Sequence, residues 1–386
     1  MRRSIGFVLC AVIGAALCTG TAHATTDPRQ AAMDAAVASG VPGMVAVAPD
    51  WRGAGGVRQA GGTGKPDPSG RFRIASVSKS FVATLVLQLV GEHRVSLDDV
   101  VQDRLPGLLP YPEPITVRQL LQHTSGVPRD LAPEDGWGSL PEIDTERFVH
   151  FDAAEQVRLS TKQPLLFKPG TKWSYSNTGY NVLGLLVEKI THQPLARVLA
   201  GRITGPLGLR DTFHPGDFPF LPHAAAHGYE QLYPAPHART DVTTYNYSRY
   251  FGAGQIVSSA GDLNRFFRAL FDGKLLPPAQ LAEMKKTVRA VDVTFGDMGL
   301  DYGLGLMKLD LGAACGKPAV VWGHAGDLPG FNTLSFVADS GPKQISTLAT
   351  VDLTANKEQA LKRQLPFVAE FCAAPSPARP LFPMSL

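Results

Sequence analysis

Net charge is nearly absent from this sequence. Its 37 Lys+Arg and 34 Asp+Glu leave a formal +3 over 386 residues. Two of the positives, Arg2 and Arg3, fall in residues 1–24, which hold no acid, so the remainder drops from +3 to +1. A chain so balanced has no electrostatic footprint for a polyanion, and nucleic acid is excluded as a partner. Long apolar runs are also missing. Ile5–Leu17 is too short to span a bilayer as a stable anchor, and no later stretch is longer. Cysteine is scarce: Cys10 and Cys18 lie in the first segment, and Cys315 and Cys372 are left. Two distant cysteines do not make a metal site. We read them as a disulfide, with two free buried thiols as the alternative. Closing a loop of that length stabilises by about 4 kcal/mol in the chain-entropy model. Disorder is excluded for the body of the chain, because 44% hydrophobic residues suffice to bury a core.

Two common motifs fail. No Gly-x-Ser-x-Gly occurs, so a strand-to-helix nucleophile elbow is unsupported. Gly61-Gly62-Thr63-Gly64-Lys65 resembles a phosphate loop, but Pro66 follows the lysine where Ser or Thr is needed. His223 and His227 have a zinc-compatible spacing without the following Glu of a metalloprotease, so no metal or other cofactor is expected.

What is present divides the chain into three. Arg2-Arg3, the apolar core and Ala22-His23-Ala24 read as a secretory signal over residues 1–24. A short uncleaved anchor is the alternative. The reading predicts a secreted or periplasmic monomer with no stable membrane anchor once the signal is removed. Residues 373–386 carry four prolines and read as a disordered tail. Residues 25–372 form one domain. Met44–Ala48 reads as a strand, and the Gly-rich stretch Gly53–Gly70 as hairpin turns. Phe81, Leu85, Gln88 and Leu89 give helical spacing from Ser76 to Val90, with Gly91 as a stop. Further helical segments fall at Val117–His123, Asn181–Thr191 and Ala260–Phe271, between Pro-rich loops. Val320–Trp322, Leu334–Val337 and Ile345–Val351 read as strands, followed by a helical tail, Ala355–Phe371. The fold class is therefore α+β: an antiparallel sheet built from both termini, flanked by helices, with a mostly helical region inserted.

Ser76-Val77-Ser78-Lys79 opens the apolar helix. Residues three apart share a helix face, so Lys79 stands over Ser76. A serine hydroxyl is a poor nucleophile until a neighbour takes its proton, which a lysine held neutral by burial can do. Ser78 has Phe81 three residues on, which cannot serve as a base. Ser340-x-x-Lys343 falls in a Gly-Pro turn. Tyr175-Ser176-Asn177 lies in a polar loop before the Asn181 helix. Its phenol can shuttle a proton, and its amide can hold a substrate carbonyl or Lys79. His324-Ala325-Gly326 follows the strand Val320–Trp322, and its small residues let a substrate backbone lie along the edge. His214-Pro215-Gly216 shares those letters but sits in a Pro-rich loop.

Ser76-x-x-Lys79, Tyr175-x-Asn177 and His324-x-Gly326, in that order, resemble the three motifs of the penicillin-recognising serine enzymes. The histidine in the third resembles the class C β-lactamase and soluble D-alanyl-D-alanine carboxypeptidase branch. FRIASVSKSF, ITVRQLLQHTSG, YSNTGYNVLG, YGLGL and GHAGDLPGF extend the similarity from about Val41 to Cys372. The resemblance implies attack by Ser76 on a carbonyl, proton exchange through Lys79 and Tyr175, and deacylation by water. It implies an oxyanion hole from the backbone N–H groups of Ser76 and Asp327. It places His324 near Tyr175, keeping the pocket electropositive, and His123 at a structural helix end.

The implied activity is that of a D-alanyl-D-alanine carboxypeptidase on peptidoglycan stem peptides, with small peptides, esters or β-lactams as substrates. One departure bears on this. Carboxypeptidases of this branch hold the substrate carboxylate with an arginine after YGLGL and with threonines in the third motif. Here Met307 and Lys308 follow Leu306, and Ala325 and Asp327 replace the threonines. Asp327 repels a carboxylate at close range. An esterase, a D-aminopeptidase or amidase, or a class C-like β-lactamase fits the same residues, as does a penicillin-binding sensor without turnover.

Overall fold

The computed structural model describes residues 27–131 and 138–372. The signal and tail readings, residues 1–24 and 373–386, lie outside the described residues. Eight strands form one antiparallel sheet: β1 (Gly43–Ala48), β2 (Trp51–Gly56), β3 (Val288–Asp292), β4 (Gly296–Tyr302), β5 (Met307–Asp310), β6 (Val320–Leu328), β7 (Phe331–Ala338) and β8 (Gln344–Ala349). Their order is β2-β1-β8-β7-β6-β5-β4-β3, so the N-terminal hairpin joins the six C-terminal strands through β1 and β8. The mostly helical stretch between β2 and β3 lies outside this sheet, as the α+β reading anticipates.

Strand residues alternate between two cores, because successive side chains point to opposite faces. Met44 and Ala46 enter one cluster, with Met33 of α1 (Pro28–Ala38) and Phe367 of the last helix (Leu365–Phe371). Val45 and Val47 enter the other, with Phe81 of α2 (Ser78–Gly91) and Phe266 of α4 (Ala260–Phe271). Between these two in chain order, α3 (Asn177–Thr191) joins the second cluster through Tyr180, Leu183 and Leu186. Both faces of β1 are therefore covered, which is why its sequence is a continuous apolar run. Phe81 stacks on Phe266 with ring centroids 3.7 Å apart, fixing α2 against α4.

Five local readings are corrected. Gly53–Gly56 belongs to β2, not to a turn. A Cβ on Gly55 would meet Val37 of α1 at 3.1 Å, so the glycine reflects close approach of a helix to a strand. The helix read from Ser76 begins at Ser78, and Ser76 sits in a preceding 3-10 turn, Ala75–Val77. The helix read from Asn181 begins at Asn177, capped by the Ser176 hydroxyl, which accepts the Gly179 N–H at 3.0 Å. His324–Asp327 lies within β6 rather than after it. The helical tail is two helices, Lys357–Lys362 and Leu365–Phe371, divided just before Pro366. Cys315 and Cys372 are joined in a disulfide, which ties the turn after β5 to the end of the last helix.

Candidate active site

From Phe72 to Leu87 every residue is buried except Ser76. The cause is local backbone. Ala75 has φ 50°, in the left-handed region, so the chain turns sharply before the helix and lifts one hydroxyl into a cleft. Such a conformation costs an L residue about 1–2 kcal/mol. Gly326 of β6 backs the turn: a Cβ there would lie 2.9 Å from the Ser76 nitrogen and 2.4 Å from the Ile74 carbonyl. Strand β5 pairs with β6 only from Val320 to Gly323. Beyond His324 that side of β6 faces the Ser76 turn instead of a strand.

Lys79 is fully buried, with its Nζ 2.9 Å from Ser76 Oγ. Nζ also donates to Asn177 Oδ1 at 2.7 Å and to the Ala253 carbonyl at 2.8 Å. Burial, reinforced by Arg129, holds the ammonium well below its ordinary value against the pull of Asp130 and Asp327. A neutral amine has two N–H bonds and one lone pair. The two carbonyl acceptors occupy both N–H bonds, which leaves the lone pair for the Ser76 hydroxyl proton.

The partners of Lys79 are themselves fixed. Asn177 Nδ2 donates to both oxygens of Asp130, at 3.0 and 3.2 Å, which turns its carbonyl towards Lys79. Asn181, one turn along α3, accepts the N–H groups of Gly252 and Ala253 and so presents the Ala253 carbonyl. Neither Asp130 nor Asn181 was singled out in the sequence. Asn181 shares the face of Asn177 at i+4, a usable signal, whereas Asp130 reaches the site from a loop 47 residues away.

Tyr175 is 2% exposed, and Lys79 Nζ lies 4.7 Å over its ring. Burial raises its phenol above the ordinary range, opposed by the nearby Ser76 side chain. The hydroxyl meets no partner with full hydrogen-bond geometry among the described residues. It is near Ser76 and uncommitted. His123 accepts the Ser176 N–H at 3.0 Å through Nδ1, and its ring lies 4.3 Å from that of Tyr175, so this helix-end residue also shapes the motif loop.

His324 departs from expectation. Its Nε2 lies 2.9 Å from the Tyr302 hydroxyl, and its Nδ1 contacts the Ala325 carbonyl. The carbonyl can only accept, so Nδ1 carries the proton and Nε2 accepts from Tyr302. Burial and the neighbouring Lys79 depress it to about 3. It is neutral at ordinary pH and does not make the pocket electropositive. Its ring centroid is 6.5 Å from that of Tyr175, near it as expected. Ala325 points into the core, and Asp327 lines the cleft with Ser76, Arg129, Asp130 and Asn177.

Three buried imidazoles bear on acid stability: His324 at about 3, His214 at about 4, and His123 driven well below 6.5, all chiefly by burial. Each stays neutral when folded but protonates in the unfolded chain below pH 6.5. Stability is therefore lost as pH falls below 6.5 towards the lowered folded values. Asp352, raised by burial and by Asp327, acts in the opposite sense and offsets part of this. Urea unfolding is expected to show a lower midpoint at pH 5 than at pH 7. Equal midpoints would contradict neutral burial.

An amine, a phenol and a hydroxyl converging in this way on an α+β frame mark a serine hydrolase of the β-lactamase and penicillin-binding-protein superfamily. The family model described as Beta-lactamase matches residues 29–365, and the chain belongs to that family. It is 32% identical to the esterase EstB of Burkholderia gladioli over 287 residues, which are 67% of this chain and 70% of the esterase. It is 32% identical to penicillin-binding protein 4 of Amycolatopsis lactamdurans over 284 residues, 70% of each chain. A D-stereospecific amidohydrolase from a Streptomyces species superimposes with TM-score 0.78 at 35% identity, over 90% of this chain and 98% of the other.

Proposed function

We propose that this chain hydrolyses small amides or esters that carry a free amino group, through an acyl intermediate on Ser76. The observation that carries the reading is the charge of the cleft. Asp130 and Asp327 both line it. Its guanidinium, Arg129, is already paired with Asp130 at 3.3 Å. With Lys79 neutral, the described lining carries a net negative charge, which attracts an ammonium and repels a carboxylate.

The carboxypeptidase expectation needs a cation after YGLGL. Met307 is buried in the core there. Lys308 turns to Asp301, 3.9 Å away, and to the Trp322 ring. The likeness to an amidohydrolase named as D-stereospecific supports an amide as the bond that is cleaved.

In the mechanism, Ser76 Oγ attacks the substrate carbonyl carbon while its proton passes to Lys79 Nζ. The developing oxyanion is received by the backbone N–H groups of Ser76 and Asp327. Tyr175, beside both, carries the proton to the leaving nitrogen or oxygen as its bond to carbon breaks. Water then attacks the acyl carbon, gives its proton back along the same route and frees Ser76. We also place the protein outside the cytoplasm, on the signal reading and the Cys315–Cys372 bridge.

The test is a matched substrate pair: a D-amino-acid amide with its amine free, and the same compound N-acetylated. The free amine is expected to be preferred by about tenfold or more in kcat/KM, the factor that 1.4 kcal/mol represents. Asp327→Asn is expected to reduce that preference. Preference for the N-acetylated compound, or for an N-acylated D-alanyl-D-alanine peptide, would overturn the reading.

A further inference from the structure

The segment that delivers Tyr175 is attached to the outermost hairpin of the sheet by one buried carboxylate. Asp292 ends the edge strand β3 and is 4% exposed. Its Oδ2 accepts the Tyr175 backbone N–H at 3.0 Å and the Ser174 hydroxyl at 3.2 Å. Its Oδ1 accepts the N–H groups of Thr294 and Phe295 in the turn to β4, at 2.7 and 3.2 Å. Val293 N–H adds a bond to the Trp173 carbonyl at 3.3 Å, so the two segments are joined on both sides of the carboxylate. The turn reaches the cleft a second way, because the Arg129 guanidinium carbon lies 5.4 Å from the Tyr175 ring and 5.7 Å from the Phe295 ring.

We propose that Asp292 is a positioning residue for Tyr175, and that through it the β3–β4 hairpin belongs to the working active site. The inference rests on the reading in which the Tyr175 phenol moves the proton. Among the described residues the phenol meets no partner with full hydrogen-bond geometry, and the Ser76 side chain beside it is the reacting group rather than an anchor. The place of the phenol is therefore set by its ring contacts and by its backbone, and the backbone N–H is anchored on Asp292. A carboxylate is needed because all four contacts are donors, and only a group that accepts at both oxygens meets them. An amide accepts at one end and repels at the other.

The experiment is a cycle of Asp292→Asn and Tyr175→Phe, read as kcat and KM on one amide or ester substrate, with thermal unfolding as a check on the fold. Asp292→Asn alone is expected to lower kcat on the order of a hundredfold, with KM within about twofold, as for a displaced catalytic group. In the Tyr175→Phe background the same substitution is expected to cost almost nothing, because no phenol remains to be placed. Equal losses in both backgrounds, or a loss confined to KM, would overturn the proposal. Tyr175→Phe active within twofold of the parent would overturn the reading beneath it, and the proposal with it. If Asp292→Asn does not fold, Ser174→Ala removes one of the four contacts. It is then expected to show a smaller fall in kcat that also vanishes with Tyr175→Phe, and its persistence there would overturn the proposal.

Discussion

Ser76→Ala is expected to remove turnover almost completely, by at least about 10⁴-fold in kcat, because the hydroxyl is the atom that forms the bond. The substitution deletes one oxygen at the mouth of the cleft. Lys79 keeps its bonds to Asn177 and Ala253, and the helix behind it remains buried. Stability is therefore expected to change by no more than about 1 kcal/mol, in the range of substitutions away from packed cores. Kinetics with thermal unfolding on the same preparation separate the two quantities. Residual activity within tenfold of the parent in a folded protein would refute the assignment of the nucleophile.

Lys79→Met is expected to cost about 10²–10⁴-fold, the span of a general base. Methionine fills nearly the same space without an amine. It strands the Asn177 and Ala253 carbonyls without their donor, at about 1–3 kcal/mol for each buried group left unpaired. Expression and unfolding should therefore report a less stable protein, unlike Ser76→Ala. The pH profile carries the sharper distinction. Lys79 acts as a base only when neutral, and its ammonium lies well below the ordinary lysine value. Activity of the parent should rise with pH through that lowered value. The limb should be missing from Lys79→Met, and an unchanged limb would show that another group is the base.

The sequence made much of this site legible because its central pair is local. Ser76 and Lys79 are three residues apart, and an apolar helix is readable from Phe81, Leu85 and Leu89. The exact start of that helix was not readable. It is set by the left-handed Ala75 pressed against Gly326, and these residues are brought together only by the fold. The Asn177 start of α3 had a signal that could have been used, since Ser176 is a good cap ahead of an apolar helical pattern. The strand that carries His324 was underestimated because Gly323, Ala325 and Gly326 have little strand propensity. Their small size serves instead the close approach of β6 to the nucleophile turn.

The positive role expected of His324 failed for a related reason. Letters alone do not reveal that Tyr302 and the Ala325 carbonyl enclose the ring in a site too buried for charge. Asp130 and Asp292 were missed altogether. Each acts on a motif residue far away in the chain, so no local period or spacing could mark it.

The central claim is that acyl transfer runs through a covalent bond to Ser76. Intact-mass spectrometry during turnover of a p-nitrophenyl ester, quenched in acid and followed by peptide mapping, tests it most directly. The account predicts one acyl group per chain, on the peptide containing Ser76, and none on Ser76→Ala. Continued turnover with no acyl mass, or with the acyl group on another residue, would contradict it.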